Sequence, residues 1–245
     1  MADSKRPSID GRWPTTPHDR KFVPGGGAGR SREVAYAAIK DAILRGLLEP
    51  RERLIEQRLG EVLGLSRTPI REALAILEHE GLIESIPYKG LAVRPVTVQE
   101  FLGMYEALGP IESAIARAAV PHLTEAVARE LTTILDAAEA AIPDDVAGHL
   151  ARCREFQQRL GEVAQRPFLT RMLLGIEERS DVFLLHSGQQ LPEENMRAAV
   201  SDRRNILDAV RSGDVAAATE AAEAHASDIR RRWRGLYPDE TSSLA

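Results

Sequence analysis

The stretch that decides the fold is Leu65–Gly81, which reads LSRTPIREALAILEHEG. Its apolar residues recur at helical spacing and predict one buried stripe, made of Ile70, Ala73, Leu74 and Leu77. Arg67 and Arg71 are four residues apart, so they share the opposite face near the N-terminal end. A helix that reads DNA has this arrangement, because its first turns reach base edges while its back packs on a small core. An ordinary surface helix with two solvated arginines is the alternative interpretation.

Residues at the two ends of this stretch predict where the helix begins and ends. Ser66 or Thr68 can cap its start. Pro69 falls in the first turn, where its missing N–H leaves no hydrogen bond unmade. Gly81 ends the helix. The stretch is therefore predicted to form one helix over nearly its whole length.

The flanking segments favour the DNA-binding interpretation. Two shorter helices are predicted before the stretch, at about residues 32–45 and 55–63, and Gly64 makes the turn into it. Two short apolar runs follow, at residues 82–86 and 91–94, around a turn that contains Pro87 and Gly90. Two helices, a glycine turn and a third helix form a helix-turn-helix, and a hairpin directly after it is a wing. Lys89 at the wing tip can contact a phosphate or enter a minor groove.

Composition is consistent with this interpretation. The chain has 245 residues, enough for two modest domains, and no apolar run approaches the ~18 residues of a membrane span. A single cysteine, Cys153, excludes an internal disulfide and fits a reducing cytoplasm, and the N-terminus lacks the apolar core of a secretory signal. Residues 1–96 hold 16 Lys and Arg against 13 Asp and Glu, whereas the remainder is acidic. A polyanion is therefore expected to bind the first part of the chain.

The domain organisation follows from these segments. We predict a flexible tail over residues 1–30, the winged helix-turn-helix over 31–96, a second domain over 97–237 and a disordered tail over 238–245. Six helices are predicted in the second domain, at about 98–120, 124–141, 145–164, 167–187, 193–212 and 214–235. Thr97 with Glu100 three residues later forms a capping box at the first of them. The fold class is mostly α: an N-terminal winged helix-turn-helix followed by an all-α helical bundle.

Three polar residues interrupt the apolar stripes of the bundle. Gln157, Arg203 and His225 each occupy a stripe position near the middle of its helix, so all three should face inward. A buried arginine needs an anionic partner or water. One hypothesis is a central cavity in which Arg203 receives an anion, with His225 and Gln157 as hydrogen-bond partners. The alternative is a structural pair between Arg203 and Glu112, or an Arg203 that extends to the surface.

Residues 32–95 resemble the winged-helix domain of the GntR family of bacterial transcription factors. The matching stretches are Ile55-Glu56 through Leu59, Gly64 through Leu74, Leu77 through Ile83, and Gly90. The resemblance implies that the chain contacts DNA through Ser66, Arg67, Thr68, Arg71, Lys89 and Gly90. The arginine that the family carries on helix two falls on Gln57, with Arg58 beside it. Both are included in the predicted DNA-binding set, since a glutamine can still bond a base edge or a phosphate.

Residues 98–235 resemble the all-α effector domain, called FCD, of the FadR branch of this family, and six helices place them with its VanR-like subgroup. The matching stretches are Tyr105-Glu106, Ile111-Glu112, Glu155-Phe156, Ile206 through Val210, Gly213-Asp214 and His225. The family's pocket arginine on the first bundle helix is replaced by Leu108.

Many FCD domains hold a divalent metal on one aspartate and three histidines. Those positions hold Cys153, Gln157, Arg203 and His225 here. A guanidinium does not bind metals, so we predict that this metal site is lost, that the chain has no cofactor, and that Arg203 supplies the positive charge instead. A zinc site on His149, Cys153 and His225 is the alternative.

Together these features predict a sequence-specific DNA-binding transcription regulator rather than an enzyme, with repression as the family default. Two recognition helices on one face of DNA require a homodimer and a palindromic double-stranded operator. The predicted effector is a small organic acid. The residues predicted to bind it are Arg203, His225, Gln157, Cys153 and Glu112. Two alternatives stay open: a constitutive DNA-binding regulator with a degenerate effector domain, and an all-α enzyme with an accessory DNA-binding domain. The sequence offers no catalytic triad or phosphate loop for the latter.

Overall fold

A computed structural model describes residues 28–186 and 191–237 of the chain. The described chain divides into two compact units, with the boundary between Pro95 and Val96. The predicted C-terminal tail lies outside the described residues, as does the predicted N-terminal tail up to residue 27. The last three residues of that N-terminal tail are helical, so the prediction of a flexible segment was wrong for them. Once a helix is nucleated, each added residue gains a hydrogen bond at low cost.

The first unit consists of three helices and an antiparallel hairpin. Its elements are α1 (Ala28–Leu44), α2 (Glu56–Leu63), α3 (Arg67–His79), β1 (Ile83–Ile86) and β2 (Gly90–Val93). α3 packs against both α1 and α2, and the predicted stripe of α3 is buried. Ile83 pairs with Val93 in the hairpin. Apart from the start of α1, each bound lies within two residues of its prediction.

The turn between α2 and α3 depends on two glycines. Gly64 ends α2 with a φ of 65°, in the left-handed region that a residue with a side chain rarely adopts. A Cβ on Gly60 would lie 2.8 Å from the carbonyl oxygen of Leu65. The chain can therefore fold back tightly enough for α3 to start two residues after the turn.

The second unit is a bundle of six α-helices among the described residues. They are α4 (Val98–Ala119), α5 (Glu125–Ala140), α6 (Val146–Val163), α7 (Pro167–His186), α8 (Glu193–Ser212) and α9 (Val215–Leu236). A 3-10 turn, Val120–His122, follows α4. Each bound lies within one residue of its prediction, because Pro and Gly mark the breaks in an otherwise continuous helical pattern.

Helix α4 lies at the centre of the bundle. It contacts α6, α7, α8 and α9, and α9 runs along most of its length. Thr97 Oγ1 accepts a hydrogen bond from Glu100 N at 3.1 Å, which confirms the predicted cap at its start. Phe101 of α4 stacks on Phe183 of α7, and its ring centroid lies 5.2 Å from that of Trp233 on α9. In the described ranges, none of the helices combines the length and the apolar character that crossing a membrane requires.

Candidate functional site

The exposed face of α3 carries the predicted DNA-contacting residues. Ser66 is the N-cap residue with an extended backbone, but its side chain makes no capping hydrogen bond, so only its position matches the prediction. Ser66, Arg67, Thr68 and Arg71 are all exposed, whereas Pro69 and Ile70 behind them are buried. The first turns of α3 therefore present two guanidinium groups and two hydroxyls to solvent.

Arg71 is held by a carboxylate of the preceding helix. Its Nε and Nη2 donate to the two carboxylate oxygens of Glu56, at 3.0 and 2.9 Å. This is the parallel two-bond geometry in which a guanidinium pairs best with a carboxylate. The hydrogen bonds from Arg71 lower the pKa of Glu56 below its usual value. Glu56 was not predicted as a partner of Arg71, although its place at the start of α2 is visible in the sequence.

Arg67 is held by an amide rather than by a charge. Its Nη2 donates to Gln57 Oε1 at 3.0 Å, and Gln57 Nε2 donates to Glu61 Oε1 at 3.0 Å. Gln57 is exposed, as a DNA-contacting residue must be, while Arg58 beside it is half-buried. The structure thus places Gln57 as a group that orients Arg67, a role that the sequence did not reveal.

The wing carries a second set of basic groups. Lys89 and Gly90 are exposed at its tip, and Gly90 has a φ of 83°. Arg53, outside the hairpin, forms an antiparallel bridge with Ala92. A Cβ on Gly90 would lie 3.9 Å from Arg53 Nε, so this guanidinium lies beside the wing tip. The first unit therefore carries exposed basic groups both on α3 and at the wing tip.

The bundle holds the three inward-facing polar residues as predicted. Gln157, Arg203 and His225 are all buried. Arg203 Nη2 donates to Glu177 Oε1 at 2.9 Å, and Arg203 Nη1 lies 3.1 Å from His225 Nε2. Arg203 Nη1 also donates to the carbonyl oxygen of Ala199 at 3.2 Å. The guanidinium thus lies between a carboxylate of α7 and an imidazole of α9.

The alternative prediction, a direct pair between Arg203 and Glu112, was wrong, because Glu112 is not the carboxylate that binds Arg203. Glu112 instead accepts from Gln157 Nε2 and, at 2.8 Å, from His225 Nδ1. Because the guanidinium can only donate, His225 Nε2 must accept from Arg203, and the ring then carries its proton on Nδ1. His225 therefore links Arg203 to Glu112. The carboxylate that binds Arg203 directly is that of Glu177, on α7. Glu177 was not among the residues predicted from the sequence.

The two buried carboxylates have opposite pKa shifts. Burial alone raises the pKa of Glu112, but His225, Arg203 and Gln157 together lower it below its usual range. Burial raises the pKa of Glu177, and the charge of Arg203 offsets this only in part. Glu177 is therefore the carboxylate that takes up a proton more readily.

A cavity of about 50 Å³ lies beside this network. Two ion pairs line it, Arg203 with Glu177 and Arg154 with Asp181, together with apolar side chains that include Leu184 and Trp233. Within the described ranges, three buried polar atoms of the network have no hydrogen-bond partner: Arg203 Nε, Glu177 Oε2 and Gln157 Oε1. A few water molecules or one small polar group would fit this volume. A small polar group in the cavity could therefore form hydrogen bonds with the unpartnered atoms of Arg203 and Glu177, which line it.

The residues at the family's metal positions do not fit a metal. Arg203 occupies one position with a permanent positive charge, and Gln157 another with an amide that bonds Glu112. No three His, Cys, Asp or Glu side chains converge as metal ligands in the described residues, so no contact there supports the zinc alternative on His149, Cys153 and His225. His149 Nε2 lies 3.8 Å from Cys153 Sγ, but His149 Nδ1 donates to the carbonyl oxygen of Ala138 at 3.0 Å. Burial raises the pKa of the Cys153 thiol, which disfavours a thiolate ligand.

Two family profiles match the chain. Residues 31–93 match the profile described as bacterial regulatory proteins of the gntR family, and residues 103–228 match the FCD domain. Among curated proteins, the chain is 31% identical over 131 residues to an uncharacterised HTH-type transcriptional regulator from the TAR-I ttuE-ttuC' intergenic region of Agrobacterium vitis. This match covers 51% of the chain and 76% of that protein.

A named repressor and a solved structure are also similar to this chain, the first over a shorter stretch and the second in fold. The HTH-type transcriptional repressor GlaR of Escherichia coli is 32% identical over 85 residues, 35% of this chain and 39% of GlaR. The chain likewise spans less than half the length of several other curated relatives. The solved structure of E. coli McbR/YncC superposes with a TM-score of 0.73 over 84% of this chain and 98% of McbR, at 21% identity. The winged helix-turn-helix, the helical bundle and both profile matches show that this chain belongs to the GntR family of transcriptional regulators, with an FCD domain as its second domain.

Proposed function

We propose that this regulator is a repressor that binds a palindromic operator as a homodimer, and that a small carboxylate bound in the helical bundle changes its operator affinity. Two identical recognition helices read DNA together only if a two-fold axis sets them about 34–36 Å apart. GlaR, which this chain resembles over its 85-residue match, carries the name of a repressor, and that supports the proposed sign of regulation.

The observation that carries the effector proposal is the position of Arg203. Its guanidinium is buried, lines the cavity and has one N–H group, Nε, without a hydrogen-bond partner in the described structure. A carboxylate is the group that a guanidinium binds best, through two parallel hydrogen bonds. Since the cavity measures about 50 Å³, it admits a carboxylate but not a larger organic acid without movement of its walls. Binding would therefore displace helices of the bundle, which is what linkage to DNA requires.

Glu177 is the group that an incoming carboxylate would replace. It already bonds Arg203 Nη2, and burial raises its pKa, so it can leave the guanidinium by taking up a proton. In this proposal no resident metal is needed, because Arg203 provides the positive charge that a metal ion provides elsewhere. Effector binding should then be unaffected by chelators.

A thermal-shift panel of small organic acids, with EDTA present throughout, tests this function. A ligand that binds only the folded state adds about 2.7 kcal/mol of stability at a hundredfold excess over its Kd. The shift should vanish in R203A and weaken in R203K, which keeps the charge but loses the planar fork. R204A is the matched control, because Arg204 is only half-buried and bonds Asp136 on the surface. An acid that shifts wild type and R203A equally would contradict the proposal.

The second candidate function is a constitutive DNA-binding regulator with a degenerate effector domain. The observation in its favour is that Arg203 is already bonded to Glu177, so its charge is balanced within the chain. This candidate predicts an operator affinity, measured by fluorescence anisotropy, that no acid in the panel changes. We infer no enzymatic activity, since the matching profiles and relatives are regulators. Turnover of any acid in the panel would overturn that inference.

A further inference from the structure

Tyr88 at the tip of the wing is held in an unfavourable backbone conformation. Lys89 N donates to Ile86 O at 3.0 Å and closes a four-residue turn with Pro87 second and Tyr88 third. The φ of Tyr88 is 62°. Turns with this sequence of backbone angles place glycine or asparagine at the third position, because a Cβ is crowded there. A bulky residue with a positive φ is uncommon and calls for an explanation.

The side chain of Tyr88 contributes nothing to the folded domain. Its exposed fraction is 107%, so the ring is as open to solvent as in an isolated peptide. No hydrogen bond or ring contact with Tyr88 is present among the described residues, whereas Tyr36 in the same unit bonds Glu80 at 2.7 Å. Among residues 28–186 and 191–237, therefore, no contact of the Tyr88 side chain balances this strain.

The surroundings of this ring are basic. Lys89 is the next residue, and Arg53 lies beside Gly90. An exposed aromatic side chain at a wing tip that also carries exposed cations complements a surface that offers anions next to flat or apolar faces. The edge of a DNA minor groove has this chemistry, because phosphates flank the deoxyribose rings and the base edges.

We propose that Tyr88 inserts its ring into the minor groove next to the site that α3 reads, and that this contact contributes to operator affinity independently of the charge of Lys89. The inference rests on the DNA-binding function of the first unit. Proteins that bind the minor groove read it with basic side chains and frequently also insert an apolar side chain, phenylalanine among them, between the bases. The turn supplies what such a contact needs, because it holds the backbone of Tyr88 at the wing tip and leaves the ring exposed to solvent.

Replacing Tyr88 by glycine distinguishes a role in DNA binding from a role in the stability of the wing. Y88G relieves the strained φ, so its melting temperature should equal or exceed that of wild type. Its affinity for operator DNA should nevertheless fall about tenfold, which corresponds to ~1.4 kcal/mol. Y88F retains the ring and should stay within about threefold of wild type. A residue with a merely structural role would change stability and affinity in the same direction.

The probe is a duplex selected from a random-sequence library with the unchanged protein, and its binding is measured by fluorescence anisotropy at several salt concentrations. K89A should reduce the slope of log affinity against log salt by about one, while Y88G leaves that slope unchanged. Hydroxyl-radical footprinting of the Y88G complex should show lost protection of the sugars under the wing. S85A, exposed on the same hairpin, is the matched control.

Three results would overturn this inference. If the protein selects a duplex and Y88G binds it as tightly as wild type does, Tyr88 makes no DNA contact, although the regulator still binds DNA. If the protein selects no duplex at all, the DNA-binding function fails together with the inference. A change in self-association of Y88G without a change in DNA affinity, measured by sedimentation, would also contradict it and assign the ring to a protein contact.

Discussion

The ion pair between Arg203 and Glu177 predicts strong coupling between two side chains in the bundle core. Their charged atoms lie 2.9 Å apart, and the exposed fraction of each side chain is 5%. Removing one member leaves the other charge buried without its partner, which costs about 3–5 kcal/mol. We expect R203M and E177M each to lower the free energy of unfolding by that amount, a large part of the ~5–15 kcal/mol that stabilises a domain.

The double variant R203M/E177M leaves neither charge alone. Replacing a whole buried pair by apolar side chains of similar volume is often neutral. The loss in the double variant should therefore be smaller than the sum of the two single losses by at least about 2–3 kcal/mol. If the single losses add to within about 0.5 kcal/mol, the two side chains are not coupled, and the argument that Glu177 balances Arg203 is refuted.

Trp233 provides the assay. It is buried in the bundle beside Phe101, and W13F leaves it as the single tryptophan of the chain. Urea unfolding followed by its fluorescence gives the free energy of unfolding of the bundle. R204A serves as the control, because the Arg204 side chain is 37% exposed and its ion pair should contribute less than about 1 kcal/mol.

Three further predictions concern other parts of the chain. E56Q removes the carboxylate that binds Arg71, so the affinity for random-sequence duplex should rise about threefold at low salt, measured by anisotropy. Burial lowers the pKa of His149 below its usual value of 6.5, so the neutral ring stabilises the fold above pH 6.5 and this stability is lost on acidification. The urea concentration at the midpoint of unfolding should therefore fall between pH 6.5 and 5, and it should fall less in H149Q. G60A should cost about 1–3 kcal/mol in thermal unfolding, because its Cβ meets Leu65 O at 2.8 Å.

Each of these predictions has a matched control. E61Q removes a carboxylate of α2 that bonds Gln57 rather than an arginine, and a rise in affinity equal to that of E56Q would show a general charge effect. H122Q replaces an exposed histidine. If H122Q reduced the fall in urea midpoint between pH 6.5 and 5 as much as H149Q does, the role of His149 would be contradicted. G175A should add about 0.5–1 kcal/mol of stability, because its Cβ meets no atom within 4 Å; a loss there would undermine the steric reasoning.

Local patterns in the sequence were enough to predict the elements. The apolar spacing from Ile70 to Leu77 predicted the buried face of α3, and proline and glycine predicted the breaks between the bundle helices. Such signals lie within one helix, and a stripe position also predicted the burial of Arg203. The start of α1 was missed because a glycine-rich composition suggested a tail, while the helix extends into solvent.

Partners across helices could not be predicted in the same way. Which stripe faces Arg203 depends on the angles and offsets at which helices pack, and these do not appear in the periodicity of any single helix. Glu112 was therefore assigned to Arg203, whereas His225 lies between them and Glu177 binds the guanidinium. The pairing of Glu56 with Arg71 was missed for the same reason, since it joins two helices across a turn.

The bond between Glu56 and Arg71 has a consequence for the time in which the protein locates its operator. A genome offers about 10⁶–10⁹ competing sites, so the dwell time on each wrong site limits the search. While its Nε and Nη2 are engaged by the carboxylate, Arg71 has fewer N–H groups to offer to a passing phosphate. We therefore expect the protein to dissociate from wrong sites sooner. We expect all N–H groups of Arg71 to bind DNA only where a base or phosphate displaces Glu56. By this reasoning, the carboxylate of Glu56 shortens the search and lowers the affinity for the operator itself.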